Sequence, residues 1–113
     1  MRPESAAHLW DAREAARRVT EFIDGLDESR YLADPLRRSA VERQLEIVGE
    51  ALNNLRRVDE VTAREVPDLK RIVGLRNVLA HGYAVLDDAV VWAAASGRVP
   101  ALIETLNDLL GDT

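Results

Sequence analysis

Leu69-Lys70-Arg71-Ile72-Val73-Gly74-Leu75-Arg76-Asn77-Val78-Leu79-Ala80-His81-Gly82-Tyr83 is the stretch from which the fold reads outward. With Leu69 at zero and about 100° per residue, Ile72, Val73, Leu75, Leu79 and Ala80 fall on one broad apolar face. That pattern predicts an amphipathic helix that begins near Asp68 and ends at Gly82. Arg76 falls near the middle of the apolar face, at roughly −20°. Asn77 and His81, four apart, are neighbours on one flank, and Arg76 and His81 are about 140° apart on an ideal helix. An arginine centred on an apolar stripe is costly unless it is paired or lines a cleft. One straight helix does not easily aim both side chains at one atom. Either the last turn unwinds before Gly82, or two helices meet across an interface, as a two-fold dimer would arrange. The bland alternative keeps Arg76 in a salt bridge to a core carboxylate and His81 as a helix-terminal residue facing the dipole.

Upstream, Leu9, Ala12, Ala16, Val19, Ile23 and Leu26 are spaced 3, 4, 3, 4, 3 and predict a helix over about 6–23, ended by Gly25 and Asp27. Asp34-Pro35 supplies an N-cap and a first-turn proline for a second helix running to about residue 55. Val41, Leu45, Val48, Leu52 and Leu55 line one face of it, and Glu42, Arg43, Glu46 and Asn53 are expected to face solvent. Gly49 inside this helix costs about 1 kcal/mol relative to alanine, which reads as the close approach of a neighbouring helix. Thr62-Ala63-Arg64-Glu65 fits a capping box for a short turn stopped by Pro67.

Downstream, Asp87 or Asp88 caps a fourth helix containing Val90, Val91 and Trp92. Gly97 and Pro100 interrupt, and 101–110 forms a fifth; one kinked helix is the alternative. Short connections between amphipathic helices predict an all-α fold, an antiparallel bundle of four to five helices forming one domain over 1–113.

Composition agrees. A chain of 113 residues, 47% of them hydrophobic, can bury a real core. The aromatics are only Trp10, Phe22, Tyr31, Tyr83 and Trp92, so the core is expected to be aliphatic. With no cysteine, disulfides, thiolate metal sites and Cys nucleophiles are excluded. Two histidines exclude a three-His zinc site, though not a carboxylate-rich metal site. The first residues lead into no apolar signal-like segment, and no apolar run approaches the ~20 residues of a membrane span, so a cytoplasmic address with no membrane partner is expected. The net charge of −5 is not that of a nonspecific nucleic-acid binder, so any RNA contact has to be local. Lys70 is the single lysine among 15 basic residues, so phosphate contacts would be forked guanidinium contacts. The pairs Arg17-Arg18, Arg37-Arg38, Arg56-Arg57 and Lys70-Arg71 read first as solvated helix faces.

Arg76, four intervening residues, His81, one residue and Tyr83, with Asn77 directly after the arginine, resembles the motif of the HepT-like branch of the HEPN ribonuclease superfamily. Ala40-Val41-Glu42-Arg43-Gln44-Leu45-Glu46-Ile47-Val48-Gly49-Glu50-Ala51 is similar to the branch's second-helix signature. Ile72-Val73-Gly74-Leu75-Arg76-Asn77 resembles its approach to the motif, and Val91-Trp92 with Pro100 its closing helices. The resemblance spans about 40–110. It departs where Leu69 stands in place of a frequent tryptophan.

The resemblance implies a HEPN-like bundle and a metal-independent endoribonuclease toxin needing no cofactor. RNA would be the substrate, and a homodimer would carry a composite active site. In such a reaction the RNA's own 2′-hydroxyl attacks the adjacent phosphorus and leaves a cyclic phosphate. His81 suits the proton transfers and Arg76 the developing phosphorane charge. Asn77 could orient the phosphate or the histidine tautomer, or be a polar residue at the cleft rim. Glu50 reads as a solvated carboxylate, or as a supporting partner of Arg76. Tyr83 reads from sequence alone as a boundary aromatic; the resemblance implies an acceptor for AMP from a cognate minimal nucleotidyltransferase antitoxin. The competing reading is a catalytically silent helical subunit that binds and regulates a nucleotidyltransferase. A generic dimeric adaptor would need neither Arg76 nor Tyr83.

Overall fold

The architecture is that of a computed structural model, which describes residues 1–81 and 87–111. It is all-α, and no strand occurs among the described residues. The order is α1 (Pro3–Ile23), α2 (Glu28–Leu32), α3 (Pro35–Val58), α4 (Glu60–Ala63), α5 (Leu69–His81), α6 (Asp88–Ala93), a π-helical turn (Ala94–Arg98) and α7 (Val99–Leu110). α3 is the central helix. It packs on α1 along one side and on α5 along another, and α1 also carries α7. The described chain measures 42 × 32 × 18 Å, a slab with α5 outside α3.

The core follows the predicted stripes. Leu9, Ala12, Ala16 and Val19 of α1 are buried against Val41, Leu45, Val48, Leu52 and Leu55 of α3. Val91, Val99, Leu102 and Leu106 close the far side. Burying such aliphatic side chains contributes about 1.5–3 kcal/mol each. The aromatic contribution is larger than composition suggests: Tyr31 is the largest fully buried side chain, its ring centroid 5.2 Å from that of Trp92. No described helix is long and apolar enough to cross a membrane.

Several boundaries differ from the sequence expectation. α1 starts at Pro3, because proline is favoured at the first helical position, where its missing N–H goes unused. Asp27 does more than follow α1: its side chain accepts from the Arg30 backbone N–H at 2.8 Å and starts α2, a helix the apolar pattern is too short to reveal. The capping box at Thr62 is replaced by Asp59, which accepts from the Thr62 N–H at 3.1 Å and the Thr62 hydroxyl at 2.7 Å. With its hydroxyl donating to Asp59, Thr62 sits inside α4 rather than before it. Asp34 caps α3 as expected, accepting from the Arg37 N–H at 3.0 Å, and of the two candidates it is Asp87 that caps α6, accepting from Ala89.

The fourth and fifth predicted helices run on without a break from Asp88 to Leu110. Pro100 offers no N–H and crowds the carbonyl four residues earlier; the wide turn over Ala94–Arg98 takes up that defect inside a continuous helix. The predicted end of α5 at Gly82 lies outside the described residues.

Candidate active site on α5

α5 is tied to the molecule mainly through α3, and Val73 is its one fully buried residue. Leu69, Ile72, Leu75 and Leu79 are partly buried against the core, whereas Ala80, expected on the apolar face, is exposed. Lys70, Arg71, Gly74, Asn77, Val78 and His81 are all exposed. Their spacing of 1, 3, 3, 1, 3 makes them one outward stripe along the helix. Between Leu69 and His81 there are three cations, Lys70, Arg71 and Arg76, and no carboxylate. In a chain of net charge −5, this helix is a local basic strip.

Arg76 lies at the border between the stripe and the α3 contact. Its stem rests against Gly49: a Cβ built on Gly49 would lie 2.9 Å from Arg76 Cγ and closer still to Arg76 Cβ, with the Ile72 carbonyl oxygen at 3.1 Å. The close helix approach expected at Gly49 is therefore present, and the residue approached is the motif arginine. Arg76 Nη1 donates to Asn77 Oδ1 at 3.0 Å. Arg76 Nε is buried and has no hydrogen-bond partner among the described residues. Among the described residues no carboxylate pairs with Arg76, so the salt-bridge reading of this arginine is not realised among them.

α5 remains helical through His81. The last turn does not unwind before that residue, and Arg76 and His81 keep the roughly 140° separation of a regular helix. Asn77 and His81 share the exposed stripe. The Asn77 side-chain oxygen accepts from Arg76 Nη1.

Glu50 is exposed and makes no ion pair with Arg76. It lines a groove of about 320 Å³ between α1 and α3, with Trp10, Asp11, Arg18 and Ile47. One helical step beyond Gly49 carries Glu50 round α3 towards α1, away from the α5 contact. Tyr83 lies outside the described residues. Among the described residues no group of three or more His, Asp or Glu side chains is placed to hold a metal ion.

Arg37-Arg38 reads in sequence as a solvated face, but Arg38 Nη1 donates to Asp88 Oδ2 at 2.6 Å. Arg13, not singled out by the sequence pattern, is buried in α1 and donates to Asn107 Oδ1 of α7 at 3.3 Å. An arginine among the alanines of the α1 stripe was the available signal.

The family model described as ribonuclease HepT-like matches residues 12–109. A protein of Methanocaldococcus jannaschii, assigned by inference as an RNase, is 35% identical over 96 residues, covering 85% of this chain and 87% of the relative. A protein of Thermococcus cleftensis, assigned by inference as a ribonuclease HepT, is 30% identical over 95 residues, covering 84% and 86%. An inferred RNase of Caldanaerobacter subterraneus is 30% identical over 92 residues, covering 81% of each. No solved structure matches the chain significantly.

Proposed function

Because the chain belongs to the HepT-like ribonuclease family, we propose that it is a metal-independent endoribonuclease toxin whose active site is completed by a second copy of the chain and is neutralised by AMP transfer to Tyr83. The observation that carries the reading is the state of Arg76. Its stem is packed against Gly49, its head is held by Asn77, and no carboxylate among the described residues neutralises it. A charge kept uncompensated on a basic strip is suited to meet a phosphate.

His81 on the same helix supplies an imidazole, a side chain able both to take up and to give a proton. In the proposed reaction one imidazole takes the proton of the 2′-hydroxyl. The oxygen then attacks the adjacent phosphorus, Arg76 stabilises the extra negative charge, and a second imidazole gives a proton to the departing 5′-oxygen. The products are a 2′,3′-cyclic phosphate and a free 5′-hydroxyl. Two motifs are needed because one regular helix does not converge Arg76 and His81 on one atom. A two-fold arrangement of α5 stripes brings both together. Tyr83, two residues past His81, stands beside the same strip in sequence. AMP attached there would add a phosphate charge and bulk against an anionic substrate. The donor in this scheme is a cognate minimal nucleotidyltransferase antitoxin.

The test is cleavage of structured RNA in EDTA by the unmodified protein, its mass verified, beside Arg76→Ala and His81→Ala. Cleavage that survives the chelator, leaves cyclic phosphate ends and falls to a small residual rate in both variants is expected. Absence of cleavage by unmodified protein would replace this reading with a silent subunit that regulates a nucleotidyltransferase.

A further inference from the structure

Gly49 stands inside α3, in a regular helical conformation that any residue adopts. Its backbone does not require glycine; its surroundings do. The other described helical glycines, Gly74 and Gly97, have nothing within 4 Å of a built Cβ, so a side chain at either enters open space. At Gly49 the built Cβ meets Arg76 Cβ, Arg76 Cγ at 2.9 Å and the Ile72 carbonyl oxygen at 3.1 Å. Arg76 Cβ is fixed to its backbone and no rotamer change moves it away. A methyl group at position 49 therefore displaces α5 at Arg76.

Resting on the reading of Arg76 as the phosphate-facing cation, we infer that Gly49 is a positioning residue for Arg76, the seat that sets where its guanidinium stands. The seat grips the stem and Asn77 Oδ1 grips Nη1 at 3.0 Å. Between the two grips, Nε is buried without a partner among the described residues. The remaining donor group, Nη2, is bonded to no described residue and is the edge left for a phosphate in this reading. A long side chain held at both ends has fewer poses to lose when a phosphate arrives, which is the preorganisation that makes charge stabilisation effective. Gly49 touches neither RNA nor His81 in this arrangement and acts only through Arg76.

The experiment compares full-length wild type, Gly49→Ala, Arg76→Ala, the double variant, and Leu55→Ala, a core truncation further along α3. Two readouts are taken. The first is the NMR signal of Arg76 Nε–H and its exchange with water, which needs no activity. Wild type and Leu55→Ala are expected to show the same slowly exchanging signal, and Gly49→Ala a shifted, faster-exchanging one. The second is RNA cleavage at a temperature where every variant is folded. Gly49→Ala is expected to lose at least about tenfold in kcat with little change in KM, and to add almost nothing to the loss from Arg76→Ala. An unchanged Nε–H signal in Gly49→Ala overturns the inference, as do losses that multiply in the double variant. A shifted signal alongside a wild type that cuts no RNA upholds the seat and removes the ribonuclease reading. If Gly49→Ala does not fold, an Arg76→Gly background, which lacks the displaced Cβ and Cγ, should tolerate it; failure of that pair to fold also overturns the inference.

Discussion

Arg38 Nη1 donates to Asp88 Oδ2 at 2.6 Å, a partly buried ion pair that fastens the first turn of α6 to α3. Glu42, one turn further along α3, feels both partners. Burial pushes its carboxyl above the ordinary value, the Asp88 charge pushes it further, and Arg38 opposes them.

The first prediction uses those signs. Asp88→Asn should lower the Glu42 pKa and Arg38→Met should raise it, read by NMR titration of the Glu42 carboxyl. Because the folded-state pKa is raised, Glu42 favours the fold fully below its ordinary value of 4.5 and loses that contribution as pH climbs through the raised value. Urea unfolding from pH 4 to pH 7 should show this loss, and Asp88→Asn should diminish it. Arg38→Met, which leaves Asp88 without its cation, should cost roughly 1–3 kcal/mol at pH 7. Identical Glu42 titrations in all three proteins would contradict the placement of this cluster.

Tyr31 gives an opposite kind of forecast. The side chain is fully buried and its hydroxyl has no hydrogen-bond partner among the described residues. Tyr31→Phe removes an unsatisfied polar group and keeps the ring on Trp92, so it should leave stability unchanged or raise it by about 1 kcal/mol. Tyr31→Ala should cost roughly 3–5 kcal/mol. Burial first, then the Glu42 and Asp88 charges, push the Tyr31 hydroxyl up from 10.0 to about 12. Wild type should therefore lose stability as pH rises from 10.0 towards 12, and Tyr31→Phe should lack that part of the loss. Thermal melts across this range decide it.

Asp59 governs the acid side. It accepts from Ser5 Oγ at 2.7 Å, Thr62 Oγ1 at 2.7 Å and the Thr62 N–H, which joins the starts of α1 and α4 to the end of α3. Those hydrogen bonds, the Thr62 hydroxyl's foremost, lower its carboxyl from 3.8 to about 2. A depressed carboxylate stabilises the fold above 3.8, and that contribution disappears as pH falls towards 2. Asp59→Asn should melt lower than wild type at pH 7, and the gap should narrow on acidification. A gap constant from pH 6 to pH 2 would refute the assignment.

Much of the fold could be read from single residues. Leu9, Ala12, Ala16 and Val19, like Val41, Leu45, Val48, Leu52 and Leu55, declare their buried faces because helical spacing repeats along long helices. α2 escaped because a five-residue helix has no room for a period, and only Asp27 announces it. The Asp59 cap is masked in sequence by the capping-box pattern at Thr62, since two capping residues three apart compete for the same turn. At the site, the wheel put Arg76 on the apolar face, and its stem does pack there. Which side chain it met was not legible, because that depends on how α5 crosses α3. Gly49 was the local trace of that crossing. Glu50, its neighbour in sequence, lies towards α1 for the same reason.

Asn77 separates the two ways of reading the strip. As it stands, its amide oxygen orients Arg76 through Nη1 without cancelling the charge. Asn77→Ala removes the grip but leaves the cation, so cleavage should fall only modestly, by about tenfold or less. Asn77→Asp keeps the geometry and strengthens the hydrogen bond, yet sets a carboxylate on the guanidinium that must meet a phosphate. If Arg76 acts by charge, Asn77→Asp should be the worse variant in cleavage and the better one in thermal stability. Raised salt should not restore its activity, because a contact pair is screened far less than distant charges. Cleavage and melting curves of the two variants, taken side by side, test this ordering. If the two variants cut alike, or Asn77→Asp cuts better, Arg76 does not work as an uncompensated phosphate-facing charge.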